Sequence, residues 1–270
     1  MTKIHHLELF TVRCEITASL NGVPVADVRA VDRHTDHFAP PVNPFLIGEG
    51  NVLEVTIAPA TLDDGTHTEW SEAKLEAAVR MFGKGDIVVP GGGGPAITEI
   101  DFTPELAARI AQAREDDVEL EVPQVFFHTF DNEGVSFASE LLDVDPYDDE
   151  DALRDYALHI RDLFARGDVD AFLTEIDPKC RVWSIAYEEP ADFFREQIRS
   201  GLSSEFLPAQ PIVDFQRDDV MLRPIAGGRM WSLEKTPGVP LIQTPLDANE
   251  QRMQFRIVAA LRDGQLRVVR

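Results

Sequence analysis

The hydrophobic period of the chain changes from two residues to 3.6 across one acidic stretch, Asp143-Val-Asp-Pro-Tyr-Asp-Asp-Glu-Asp151. A period of two belongs to strands that bury one face, and a period of 3.6 to amphipathic helices, so the segments on either side fold by different rules. We read the stretch as a domain joint between an acidic, strand-rich domain at 1–145 and a mixed helix and strand domain at 146–270. The 270 residues exceed a typical single core and suit two domains of about 120 to 150 residues each. The expected fold class is α+β.

Charge narrows the partners. The formal net charge is -23, and it is uneven: residues 1–145 carry 9 Lys and Arg against 26 Asp and Glu, the remainder 16 against 22. Nucleic acids and anionic membranes draw affinity from Lys and Arg, so neither is an expected partner. A basic protein is, because a concentrated acidic surface steers one in. No apolar run approaches the roughly 20 residues of a membrane-spanning helix. The first residues lack a basic segment followed by a long apolar core, so no secretory signal is read and a cytoplasmic location is expected. Cys14 and Cys180 fall on opposite sides of the joint and outside any Cys-x-x-Cys pair, which makes them buried apolar groups in this reading.

In the first domain, alternation from His6 onward predicts strands, with a change of face between Thr11 and Val12. Asn21-Gly22 takes the positive backbone angles of a two-residue hairpin, pairing Ile16–Leu20 with Val23–Val28, and Pro24 suits an edge strand. Val52–Ile57 alternates as another strand. Leu75, Ala78, Val79 and Phe82 fit one helical stripe, predicting a helix over Glu69–Phe82 capped by Thr68 or Ser71 and ended by Gly83. A second helix is expected over Pro104–Arg114 with Thr103 as cap. Val118–His128 and Val135–Leu142 are expected as strands joined by a hairpin at Asp131-Asn-Glu-Gly134. Gly91–Gly94 follow a strand pattern, but no Lys-Ser or Lys-Thr follows them and prolines flank the run, so a surface loop is expected instead of a phosphate cradle. His34-Thr-Asp-His37 is the one cluster with the makings of a metal set, in which His34 and His37 would chelate with a carboxylate such as Asp36 or Asp32.

In the second domain, Asp148 or Asp149 should cap a helix ending at Arg166, with Leu153, Tyr156, Ala157, Ile160, Leu163 and Phe164 inward and His159 on the polar face. Gly167 stops it, and Asp168 caps a short helix to Ile176. Arg181–Tyr187 alternates as a strand with Trp183, Ile185 and Tyr187 on one face. A helix over Ala191–Ser200 follows. Strands are expected at Ile212–Gln216, Val220–Pro224, Arg229–Lys235, Met253–Leu261 and Gln265–Val269, the last two joined across Asp263-Gly264.

Two resemblances arise from these patterns. Leu20-Asn-Gly-Val-Pro-Val25 with Gly50-Asn-Val-Leu-Glu-Val55 resembles the jelly-roll β-sandwiches of the galactose-binding-like class, which implies an antiparallel β-sandwich with the two helices inserted. Many such domains bind carbohydrate, but no residue here matches a sugar-contacting position. The order helix, helix, strand, helix and then antiparallel strands resembles the NTF2-like (SnoaL-like) α+β cone. Enzymes of that superfamily place Asp, His or Tyr in the pocket, and the second domain has no Asp-His pair to match, so no catalytic residue is assigned and no cofactor is expected.

The candidate pocket lining is Tyr156, Trp183, Tyr187, Arg229 and Trp231, aromatic rings with polar handles and one cation for an anion. Three functions follow. The first is a non-catalytic interaction protein whose acidic domain meets a basic partner. The second is a small-molecule-binding protein or enzyme using the pocket of the second domain. The third is carbohydrate recognition by the first domain. A homodimer is compatible with all three.

Overall fold

A computed structural model describes residues 3–28, 35–62, 64–89, 91–207, 212–247 and 251–270. The chain is α+β and divides into two compact units, Met1–Ala138 and Ser139–Arg270. The acidic stretch from Asp143 to Asp151 lies in the second.

The first unit runs β1 (Lys3–Val12), β2 (Cys14–Leu20), β3 (Val23–Val28), β4 (Thr35–Phe38), β5 (Asn51–Pro59), β6 (Lys74–Gly83), β7 (Ala96–Asp101), α1 (Thr103–Glu115) and β8 (Gln124–Phe130). Its strands form two four-stranded antiparallel sheets, ordered β4-β1-β6-β7 and β3-β2-β5-β8. Arg13, with φ 50°, is the irregularity between β1 and β2 at which the chain leaves one sheet for the other. Asn21 and Gly22 both have positive φ and close the expected hairpin, and Pro24 lies in edge strand β3.

Several expectations for this unit are overturned. The helix expected over Glu69–Phe82 is strand β6. Its apolar residues fit either period, and antiparallel pairing with β1 along all ten residues, Lys3 opposite Gly83 to Val12 opposite Lys74, decides in favour of two. Val135–Leu142 is not a strand: a short helix, α2 (Ala138–Leu142), occupies its end, and Asp131–Gly134 is not a hairpin. Strand character expected from Val118 begins only at Gln124, after Pro123. Strand β7 was not expected. Thr103 is the first residue of α1 and not its cap; its backbone N–H donates to Asp101 Oδ1 at 2.8 Å.

Asn51, fully buried, ties the turns of the second sheet together. Its Oδ1 accepts from Ile47 N at 2.9 Å and Asn21 Nδ2 at 3.0 Å, while its Nδ2 donates to Gly48 O and Asn132 Oδ1, both at 2.9 Å. Asn132 Nδ2 continues to Val135 O at 2.7 Å, which is why the chain there loops instead of pairing. The asparagine of the Gly50-Asn-Val-Leu-Glu-Val55 segment is therefore a clasp for three loops.

The second unit contains α3 (Glu150–Arg166), α4 (Val169–Glu175), α5 (Asp177–Ala186), α6 (Phe193–Gly201), β9 (Met221–Ile225), β10 (Met230–Thr236), β11 (Val239–Pro240), β12 (Ile242–Gln243), β13 (Gln254–Phe255), β14 (Ile257–Arg262) and β15 (Gln265–Val268). Its main sheet is ordered β11-β10-β14-β15 with β9 also on β10, and β12 pairs with β13. Asp149 and Asp168 cap α3 and α4 through Ala152 N and Ala171 N. Gly167 ends α3 in the left-handed region, and Asp263-Gly264 turns β14 into β15. The inward face of α3, with Leu153, Ile160 and Phe164, packs in one core with Trp231, Leu233, Ile257 and Ala259.

Two expectations fail here. Arg181–Tyr187 belongs to helix α5 and the turn that ends it, not to a strand. Pro178 opens that helix, Cys180, Ser184 and Tyr187 face inward, and Arg181, Ile185 and Glu188 face solvent, a helical spacing that separates Ile185 from the rings of Trp183 and Tyr187. Four helices therefore precede the strands with none between. Ile212–Gln216 is not a strand, although Ile212 and Phe215 are buried. Among the described residues no helix is long and apolar enough to cross a membrane.

Replacing Asn51 by Ala leaves several loop N–H and C=O groups without their partners, and we expect a loss on the order of 3 kcal/mol, read as an earlier urea midpoint of the full chain. His5, 1% exposed, has its pKa lowered by burial, against the opposing hydrogen bond to Asn43. The unfolded chain thus takes up this proton first, at about pH 6.5. Stability contributed here is complete above that pH and declines as pH falls towards the folded-state value. Comparing urea midpoints at pH 7.5 and 5.5 should show a smaller drop in His5→Gln than in the parent.

Candidate functional site: an acidic groove on the first sheet

The register of the first sheet sorts its side chains by face. Leu7, Leu9, Leu75, Ala77 and Val79 are buried inward. On the other face Glu8 lies opposite Ala78, Phe10 opposite Glu76, Ala78 opposite Glu99, Glu76 opposite Asp101 and Phe10 opposite His37. Four strands thereby contribute to one groove of about 570 Å³ lined by Glu8, Glu76, Glu99, Asp101, Arg80, Phe10 and His37.

Arg80 is the one guanidinium among these residues. Its Nε donates to Glu8 Oε2 at 2.9 Å, Nη1 to Gly94 O at 3.1 Å, and Nη2 to Glu99 Oε1. Glu8 is only 4% exposed, and its Oε1 has no hydrogen-bond partner among the described residues. A buried carboxylate oxygen without a donor is costly. The oxygen itself is buried, and Glu76, Glu99 and Asp101 add negative charge along the groove.

The glycine run forms part of the wall. Gly91 lines the groove, and a Cβ there would lie 3.2 Å from His37 Cε1; one at Gly94 would lie 2.8 Å from Phe82 Cζ. Glycine is needed for the loop to press onto the sheet face. The apolar side of the groove is Phe10, edge-on to His37 with ring centroids 5.1 Å apart.

Of the candidate metal set, His34 lies outside the described residues. Asp36 Oδ1 accepts from His37 N, and His37 faces Phe10. Among the described residues no three His, Cys, Asp or Glu side chains are placed to hold a metal.

The five candidate pocket residues of the second unit do not line one pocket: Tyr156 and Trp231 share a core, Trp183 and Tyr187 form another cluster, and Arg229 stands apart from both. Tyr156 borders a groove of about 480 Å³ with His159, Glu175 and Arg267. Its hydroxyl donates to Glu175 Oε2 at 2.9 Å, the same oxygen that accepts from Arg267 Nη1 at 2.9 Å, while His159 Nε2 stands 3.4 Å from Glu175 Oε1. Burial, together with the Glu175 charge, pushes the Tyr156 phenol far up, so it acts as a donor at neutral pH. Trp183 and Tyr187 instead cluster with Phe194. Lys179 Nζ lies 5.5 Å from the Trp183 ring centroid and 5.3 Å from that of Phe255, and burial lowers its pKa to about 8. Arg229 precedes β10 and donates to Ala226 O at 2.9 Å. Trp231 is a core residue whose Nε1 donates to Tyr147 O. Both cysteines are buried; burial raises Cys14 to about 11 and Cys180 in the same direction.

Sequence reasoning did not find Glu8, Glu76, Arg80, Glu99 or Asp101. Their signal was present as alternation in β1 and β6, hidden once β6 was read as a helix.

Replacing Arg80 by Met strands the Glu8 charge. A fully buried partner loss costs about 3–5 kcal/mol, and with Arg80 partly exposed at 21% we expect about 2 kcal/mol. Adding Glu8→Gln to that variant should recover part of the loss, read from urea midpoints. No protein-family model, curated protein or solved structure matches the chain, so the groove is read from its own chemistry.

Proposed function

We propose that the protein is an interaction protein whose first unit takes an arginine- or lysine-bearing segment of a basic partner into the acidic groove. The observation that carries this reading is Glu8, buried at 4% exposure with Oε1 lacking a donor, in a groove where four carboxylates outnumber one guanidinium. A guanidinium or ammonium entering there supplies the missing hydrogen bond and offsets the charge. Phe10 offers a ring face to the same cation, and 570 Å³ accommodates a long side chain with flanking backbone. Carbohydrate recognition has no comparable observation behind it.

The surrounding architecture is read as a jelly-roll-like β-sandwich of the two four-stranded sheets, supported by the inward alternation of β2, β5 and β6. The second unit is read as an NTF2-like α+β cone, supported by its helices followed by antiparallel strands.

A short arginine-rich peptide, titrated into the full-length protein by calorimetry, should bind at low salt and weaken as salt rises. Glu8→Gln, which keeps the shape and an acceptor for Arg80, should weaken it about tenfold, the worth of one charge-assisted hydrogen bond. A glutamate-rich peptide should not bind. Binding of the arginine peptide that Glu8→Gln leaves unchanged places the cation elsewhere and ends this reading.

A further inference from the structure

In the second unit, four guanidinium groups from four elements border one groove of about 300 Å³: Arg181 of α5, Arg195 of α6, Arg262 of β14 and Arg267 of β15. Only two carboxylates, Asp177 and Asp263, line it with them. Each guanidinium is paired with a carboxylate of the chain, Arg181 and Arg195 sharing Asp177, Arg262 with Glu140 and Arg267 with Glu175, so four cations converge on one recess within a chain of net charge -23.

The arginines are held in place by groups of the groove wall and behind it. Asp177 pairs with Arg181 at 3.1 Å and Arg195 at 3.2 Å, Arg195 also donates to Leu173 O, Arg262 donates to Glu140 O at 2.7 Å, and Arg267 is fixed by Glu175. These contacts leave donors over. Nη1 and Nη2 of Arg181, Nε and Nη2 of Arg195, and Nε and Nη1 of Arg262 make no hydrogen bond to another described residue. Planar, anchored guanidinium groups with spare N–H donors match the tetrahedral oxygens of a phosphate better than a point charge would.

A second recess adjoins this one. Gln265 and Arg267 line both the arginine groove and the 480 Å³ groove of Tyr156, His159 and Glu175, and Leu261 and Leu266 give the latter apolar surface. We propose that the second unit binds a small phosphate monoester, with its phosphate among Arg181, Arg195 and Arg262 and its esterified body over Tyr156 and His159. Arg267 stands where the two parts of such a ligand would meet. This site is independent of the acidic groove, which has the opposite charge and lies in the other unit.

Phenyl phosphate and inorganic phosphate, titrated separately into the full-length protein by calorimetry, test the proposal. Both should bind, phenyl phosphate several-fold more tightly. Arg262→Gln should weaken both about tenfold. Arg181→Gln, at a side chain 65% exposed whose loss does not threaten folding, should weaken both in the same direction. His159→Ala should weaken phenyl phosphate and leave inorganic phosphate unchanged. Absence of binding by both ligands up to about 10 mM, or binding indifferent to Arg181→Gln and Arg262→Gln, overturns the site; loss of the preference for phenyl phosphate in the parent overturns the second recess.

Discussion

The register of β1 against β6 is the constraint on which the first unit depends. Because side chains alternate, sliding one strand by a single residue would send Leu7 and Leu9 outward and bring Glu8 into the core. The register that buries Leu7, Leu9, Leu75 and Val79 is thus the one that sets Glu8 beside Arg80 on the opposite face. Core and groove are two consequences of one pairing. The hydrophobic side fixes the geometry, and the polar side inherits it.

That inheritance explains how an underpaired carboxylate persists. Glu8 is buried, and Arg80 answers one oxygen only. The deficit is local and small against the apolar burial that the same strands achieve. A site with such a deficit is prepared to gain more from a cation than an exposed glutamate would, because the desolvation has already occurred on folding. The arginine groove of the second unit follows the same logic with the signs exchanged: anchored guanidinium groups retain donors that protein partners do not use.

Much of the fold was legible in the sequence because local chemistry decided it. Asn21-Gly22, Asp263-Gly264, the Asp149 and Asp168 caps and Gly167 act within a few residues, and each was readable. What failed was decided at long range. Residues 75–82 fit both periods, and only β1, some seventy residues earlier, selects the strand. Arg181–Tyr187 alternates in the manner of a strand, yet Pro178 and the surrounding core make it a helix and the turn that ends it. The same errors concealed the candidate sites. Glu8 and Arg80 are 72 residues apart in sequence and meet only through the strand pairing, and Glu175 and Arg267 are 92 apart. The inward placement of Tyr156 was readable because an apolar stripe on a helix is a local signal. Trp183, Tyr187 and Trp231 were read on strand faces; Trp231 shares the core of Tyr156, while Trp183 and Tyr187 cluster with Phe194 on helices.

The central claim is that Glu8 Oε1 awaits a cation from outside the chain. The most direct measurement is a crystal structure of the full-length protein with the arginine-rich peptide bound. The account expects a guanidinium nitrogen within about 3 Å of Glu8 Oε1, with a second contact to Glu76, Glu99 or Asp101. A peptide seated elsewhere, with Glu8 Oε1 satisfied by the protein's own groups, would contradict it.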